Sequence, residues 1–215
     1  MNLKKGLILN LYIEKKPSII LRNTSCDPRR LTMSETNKKF RFKITVTGDG
    51  AVGKSSLIQK FTNGIFNKDY KKTIGAQFSA FDKKIDGDKI KLLFWDIAGQ
   101  DDFNFLKPSF FKNSLAAIIV YSLEENELGK KSFKHLQNWE NDIKKYCGDI
   151  PVVIFGNKVD LIDEKKLDTS AIEKFIENKN YLGYFVTSAK TGHGVIDAFN
   201  AIIDKLYFKY KDMTV

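Results

Sequence analysis

The stretch GDGAVGKSSL, Gly48 to Leu57, constrains this chain more than any other. It lies between an alternating β-branched run, FRFKITVTG, and a segment with Leu57, Ile58 and Phe61 at helical spacing. A glycine-rich loop that ends in a lysine and two hydroxyls, between a strand and a helix, is the P-loop arrangement. Its glycines let consecutive backbone N–H groups point at phosphate oxygens without Cβ clashes. The loop made of Gly48, Asp49, Gly50, Ala51, Val52, Gly53, Lys54, Ser55 and Ser56 is therefore expected to cradle a phosphate chain. Lys54 would bridge the β- and γ-phosphates, Ser55 would offer its hydroxyl to Mg2+, and the helix N-terminus would add a favourable dipole. Alone, the loop specifies a nucleoside triphosphate and leaves the base open.

Strand-like and helix-like patterns alternate from about residue 40 onward. FSAFDKKIDGDKIKLLFWDIAG reads as a hairpin turning at Asp86 to Asp88, and LAAIIVY (Leu115 to Tyr121) and PVVIFG as buried strands. SFKHLQNWENDIKKY reads as one helix, Thr169 to Glu177 as a short one, YFVTS as a strand, and Val195 to Tyr210 as a last helix. Alternation of this kind implies a mostly parallel sheet covered on both faces, with the hairpin supplying one antiparallel edge pair. Residues 40–213 form one α/β domain on this reading, preceded by a basic extension over residues 1–39.

Three further motifs carry chemistry. In LLFWDIAGQ, a strand ending in Asp96 sets a carboxylate beside the P-loop, where it can hold Mg2+ through water. Gly99 brings a backbone N–H near a γ-phosphate, and Gln100 is placed to orient an attacking water. In GNKVD, Asp160 can accept hydrogen bonds from guanine N1–H and its 2-amino group, Asn157 can tie this loop to the P-loop, and the stem of Lys158 can cover a ring face. In TSAKTG, with Ser188 its second residue, the Ala189 N–H can donate to guanine O6 while Lys190 packs over the base. Adenine would leave a buried carboxylate and a buried N–H unpaired, which is costly. The base is guanine, and GTP and GDP are the expected ligands.

In this order and spacing, the P-loop, WDIAGQ, NKVD and TSAK resemble the small GTPases of the Ras superfamily, Rab-like ones most from YKKTIGAQF. The resemblance implies a six-stranded sheet with about five helices, and a switch that slowly hydrolyses GTP. It implies that Phe66 packs on the guanine, that Tyr70 lies over the phosphates, and that Thr73 contacts Mg2+ and the γ-phosphate. Switch I would span about 66–75 and switch II about 98–111. It further implies that Phe78, Trp95 and Phe110 form an aromatic effector surface, although as plain core aromatics they would be buried on the sheet. Gly50 keeps the small residue that the family's catalysis needs. Ile97 and Asp101 depart from the usual Thr and Glu, a change that bears on partner choice. The arginines are Arg22, Arg29, Arg30 and Arg41, all ahead of the P-loop, so an activating protein is expected to supply one. An exchange factor and protein effectors are the other expected partners. A non-catalytic GTP-dependent binding module is the alternative, and a P-loop nucleotide kinase is disfavoured by NKVD and TSAK.

The net charge is +10, of which residues 1–43 contribute +8, so the basic character belongs to the extension. The extension is read as a solvated tail that touches membrane at most peripherally, with no nucleic acid expected. Met33 opens a second reading, an internal start that leaves residues 1–32 untranslated. Cys26 and Cys147 form no zinc or disulfide pattern, and His135 and His193 read as residues on or near helix surfaces. No apolar run approaches the roughly 18–20 residues of a membrane span. A cytoplasmic monomer without a lipid-anchor motif is expected, since no cysteine follows Cys147.

Overall fold

The computed structural model describes residues 37–67, 73–99, 106–177, 179 and 181–213. Its elements are β1 (Lys39–Thr47), α1 (Lys54–Asn63), β2 (Ala76–Ile85), β3 (Asp88–Ile97), α2 (Lys107–Phe111) and β4 (Ala116–Ser122). There follow α3 (Glu127–Lys134), α4 (Leu136–Cys147), β5 (Val152–Asn157), α5 (Ser170–Ile176), β6 (Tyr181–Thr187) and α6 (Val195–Asp212). Two short 3-10 turns, Val159–Leu161 and Glu164–Lys166, lie between β5 and α5.

The six strands form one sheet in the order β2-β3-β1-β4-β5-β6. Only the β2–β3 pair is antiparallel; β1–β3, β1–β4, β4–β5 and β5–β6 run parallel. The β2–β3 turn falls at Asp86 and Gly87, both with positive φ. Sheet order reverses direction at β1, whose neighbours β3 and β4 come later in the chain on opposite sides. Ligands bind outside the carboxyl ends of the strands at such a switch point. The P-loop leaves β1 there.

Burial explains the composition of the strands. Every residue of β4 and of β5 is buried, as expected for central parallel strands covered on both faces. One apolar layer joins Ile44, Leu92 and Phe94 to α1 and α6 through Leu57, Phe61, Phe199 and Ile202. Phe61 stacks on Phe199 at 4.4 Å between ring centroids. The other layer packs Ile119, Tyr121 and Ile154 against Phe111 of α2, Trp139 and Ile143 of α4, and Ile172 of α5.

Most elements fall within a few residues of the sequence reading, with three exceptions, the first being α2, where no helix was expected. The helix expected over SFKHLQNWENDIKKY is two segments, α3 and α4, that meet at His135, and α3 starts earlier, capped by the Asn126 side chain on the Gly129 N–H. The strand expected over YFVTS starts at Tyr181. Counting α3 and α4 as one interrupted helix, the described residues carry about five helices around the six strands.

Candidate nucleotide site

The carboxyl ends of β1, β5 and β6 open onto a cleft of about 750 Å³. It is lined on one side by Ala51, Gly53, Lys54, Ser55 and Ser56, and on the other by Asn157, Lys158, Asp160, Ala189 and Lys190, with Phe66 at its rim. Motifs more than 100 residues apart in sequence thus share one cavity because the parallel sheet brings their strand ends together.

Close backbone approach accounts for the P-loop glycines. Gly48 has φ +136° and sits so near Val120 of β4 that a Cβ would strike its carbonyl. Gly99, at the end of β3, lies directly against the backbone of Gly48, Asp49 and Gly50, with no room for a side chain. Gly50 is different: it has no such neighbour, and its φ is one any residue adopts. Nothing among the described residues requires glycine at that point.

At the phosphate end, Ser55, Thr73 and Asp96 converge. The Ser55 hydroxyl bonds to Asp96 Oδ2 and lies 3.0 Å from Thr73 Oγ1, which is itself 3.5 Å from Asp96 Oδ2. Asp96 is 2% exposed, and its Oδ1 has no hydrogen-bond partner among the described residues. Burial raises its pKa, opposed by the Lys54 charge and by hydrogen bonds from Ser55 and Thr73. An orphaned carboxylate oxygen beside two hydroxyls is a hard-oxygen donor set that suits Mg2+, which takes one or two carboxylates and fills its shell with water and phosphate. No cluster of three His, Cys, Asp or Glu able to hold a metal occurs among the described residues, so a cation here would draw on the one carboxylate of Asp96, on hydroxyls and on ligand oxygens.

Lys54 is buried, and its ammonium donates to the carbonyls of Gly48 and Asp49 at 2.8 and 2.7 Å. Burial pushes its pKa down to about 8, against the opposing pull of Asp96 and Asp49. The Asp49 backbone belongs to the loop, but its carboxylate turns away from the cleft. It accepts from the Trp139 indole Nε1–H and meets His135 Nδ1, each at 2.8 Å. His135, read from sequence as an ordinary helix-surface residue, instead ties the α3–α4 junction to the P-loop. No sequence pattern signalled this contact, because Trp139 already satisfies the apolar face of a helix and Asp49 already belongs to the P-loop.

At the base end, Asn157 donates to the Val52 carbonyl at 2.8 Å and accepts from the Ala189 N–H at 3.2 Å, so one amide joins β5, the P-loop and the loop after β6. Ser188 donates to Asp160 Oδ1 at 2.6 Å, and the Lys190 ammonium lies 3.6 Å from Asp160 Oδ2. Lys158, with φ +71°, carries its ammonium to Glu124 at 2.5 Å. Tyr70 and Gln100, both expected at the phosphates, lie outside the described residues, as do the rest of 68–72 and of 100–105. Of the aromatic trio, Phe78 is 58% exposed and packs edge-on to Trp95, which in turn lies 6.2 Å from Phe110.

A phosphate loop, a buried acid flanked by hydroxyls and a polar base pocket at a sheet switch point are the parts of a P-loop nucleotide-binding domain. The Ras family profile matches residues 43–208. The chain is 36% identical over 166 residues to Ras-related protein Rab-18-B of Danio rerio, covering 76% of this chain and 78% of that one. It is 34% identical over 175 residues to Ras-related protein Rab-5A of Dictyostelium discoideum (81% and 85% covered), and 35% identical over 177 residues to Rab-11B of the same organism (80% and 78%). The chain belongs to the Ras family and is a Rab-like, GTP-hydrolysing small GTPase. No helix among the described residues is long and apolar enough to cross a membrane.

Proposed function

We propose that the chain is a GTP-driven switch in membrane traffic. On this reading it holds GTP or GDP with Mg2+ in the cleft, hydrolyses GTP slowly by itself, and signals its nucleotide state through residues 66–75 and 98–111. The traffic assignment rests on its likeness to Rab relatives. The observation that carries the switch reading is the convergence of Ser55, Thr73 and Asp96 at the phosphate end of the cleft. Thr73 belongs to the first segment and Gly99 to the second, so both segments would reach toward the γ-phosphate. Hydrolysis removes those contacts and releases both.

In-line attack by water asks little covalent help from the protein, so positioning and charge neutralisation carry the catalysis. When bound, Mg2+ neutralises charge on the β- and γ-phosphate oxygens. Lys54 leaves its loop carbonyls for the phosphates, and Gln100 orients the water. Asp160 and the Ala189 N–H select guanine. Gly50, which no neighbour forces to be glycine, leaves space where the attacking water and the γ-phosphate meet. No arginine follows Arg41, so neither segment carries one, and an activating protein supplies it. Such an arginine is worth about 10³–10⁵ in rate.

Single-turnover GTP hydrolysis with Mg2+, comparing the natural chain with Gln100→Leu, tests the proposal. Slow phosphate release, abolished by the substitution, is the expected result. Tight GTP binding without release from either protein would replace the switch with a non-catalytic GTP-dependent binding module. Rapid release by the natural chain alone would remove the need for an arginine from a partner.

A further inference from the structure

The NKVD lysine does not stand alone. Its ammonium is met by Glu124, in the turn between β4 and α3, and both side chains are mostly buried: Lys158 is 23% and Glu124 19% exposed. Glu124 is itself held from several sides. Its Oε2 accepts from the Ser122 hydroxyl at 2.8 Å as well as from Lys158, and its Oε1 accepts from the Asn126 amide at 3.2 Å. Asn126 is fixed in turn, because its Oδ1 caps α3 on the Gly129 N–H.

The backbone of the turn is clamped too. Gly129 is buried against the Glu124 carbonyl so closely that no Cβ fits between them. Ser132 accepts from the Ser122 N–H and donates to the Gly129 carbonyl. The Leu123 N–H donates to the Asn157 carbonyl at 2.8 Å, joining the turn to the strand end that carries the NKVD loop. Burial alone would raise the Glu124 pKa, but hydrogen bonds from Lys158 and Ser122 outweigh it and keep the group ionised.

We infer that Glu124 is a positioning residue for guanine-nucleotide binding: it anchors the Lys158 ammonium so that the lysine stem stays over the ring face, and so lengthens nucleotide residence. The two base-flanking lysines are then unequal. Lys190 shares Asp160 with the guanine that must compete for that carboxylate, whereas Lys158 has an acid of its own outside the cleft lining. Freed from Glu124, a long side chain regains rotamer freedom and its charge seeks water, so the stem leaves the ring. The inference rests on the guanine-nucleotide reading of the cleft.

The test is dissociation of N-methylanthraniloyl-GDP from the full chain in excess Mg2+. It compares the natural protein, Glu124→Ala, Lys158→Met and the double variant. Met keeps an apolar stem and removes the ammonium. Loss of a charge-assisted bond predicts about tenfold faster release from Glu124→Ala, while single-turnover hydrolysis of GTP already bound keeps its rate. In the Lys158→Met background, adding Glu124→Ala changes release by less than about twofold, because the two residues act as a unit. Release from Glu124→Ala within twofold of the natural chain, or equal acceleration in both backgrounds, overturns the inference. Should Glu124→Ala fail to fold, Glu124→Gln, equal in shape and uncharged, carries the same comparison. Failure of the natural chain to bind the fluorescent GDP would instead overturn the guanine reading itself.

Discussion

Replacing Asp49 by Ala separates the structural use of a P-loop residue from its phosphate use. The Asp49 carboxylate is 11% exposed and accepts the Trp139 indole N–H at 2.8 Å, with His135 Nδ1 at the same distance on its other oxygen. Trp139 is 7% exposed, so its N–H would find no water after the substitution. Losing a hydrogen bond to a charged group and orphaning a buried donor costs about 3 kcal/mol in all. For a domain of this size that corresponds to a fall in Tm of about 6–12 °C. Trp139→Phe removes the donor along with the bond and leaves Asp49 its histidine, so about 1–2 kcal/mol is expected. The assay is thermal unfolding followed by circular dichroism at fixed excess GDP and Mg2+. The GDP Kd of each variant is measured in parallel, so that the ligand's mass-action contribution can be subtracted. The double variant should be less destabilised than the sum of the singles by about 1 kcal/mol. A corrected fall below about 2 °C for Asp49→Ala, or strict additivity, would refute the claim that this contact anchors the P-loop to α4.

Three other outcomes follow from the same geometry. Burial lowers Lys54 to about 8 while the unfolded chain keeps the ordinary value of 10.5; the folded state therefore binds fewer protons between those values, and stability of the nucleotide-free chain should rise with pH from about 8 to 10 by up to about 3 kcal/mol. Urea unfolding across that range should show the rise in the natural chain and not in Lys54→Met. Gly50→Val should slow single-turnover hydrolysis with little change in Tm, because no neighbour occupies the space a side chain would take. Asp160→Ala should lower the preference for GTP over ATP by about 2–3 kcal/mol, read by competition of each nucleotide against fluorescent GDP.

The four nucleotide motifs were legible because each couples a strand end to a fixed local string, and strand ends at a switch point must converge. The hairpin at Asp86–Gly87 was legible for a similar reason, since turn residues with positive φ are few. What could not be read were contacts made by residues whose local pattern already had a sufficient explanation. Trp139 and Leu136 satisfy the apolar face of a helix, so periodicity gave no hint that the indole N–H reaches Asp49, 90 residues earlier. His135 sits at a break that the helical pattern does not show, because both flanking segments are themselves helical. Glu124 belongs to no motif in the run SLEENE, and only the third dimension brings it to Lys158, 34 residues on. Local rules find the groups that face a ligand; the groups that hold those in place answer to tertiary packing.

Strand β2 pairs only with β3 among the described residues, so its other side presents unpaired backbone N–H and C=O groups, a template for a further strand. Its two halves differ in how they guard that edge. Toward the hairpin turn, Asp82 and Lys84 are exposed, and a second chain docking there would have to bury charge. Toward the switch end, the exposed side chains are Gln77, Phe78 and Ala80, with Ile74 76% exposed just ahead of them. This half carries no gatekeeping charge, so self-association into intermolecular sheet should start there. A single lysine at Ala80, on the exposed side of the strand, would be the smallest change that keeps concentrated protein in solution while leaving the nucleotide cleft untouched.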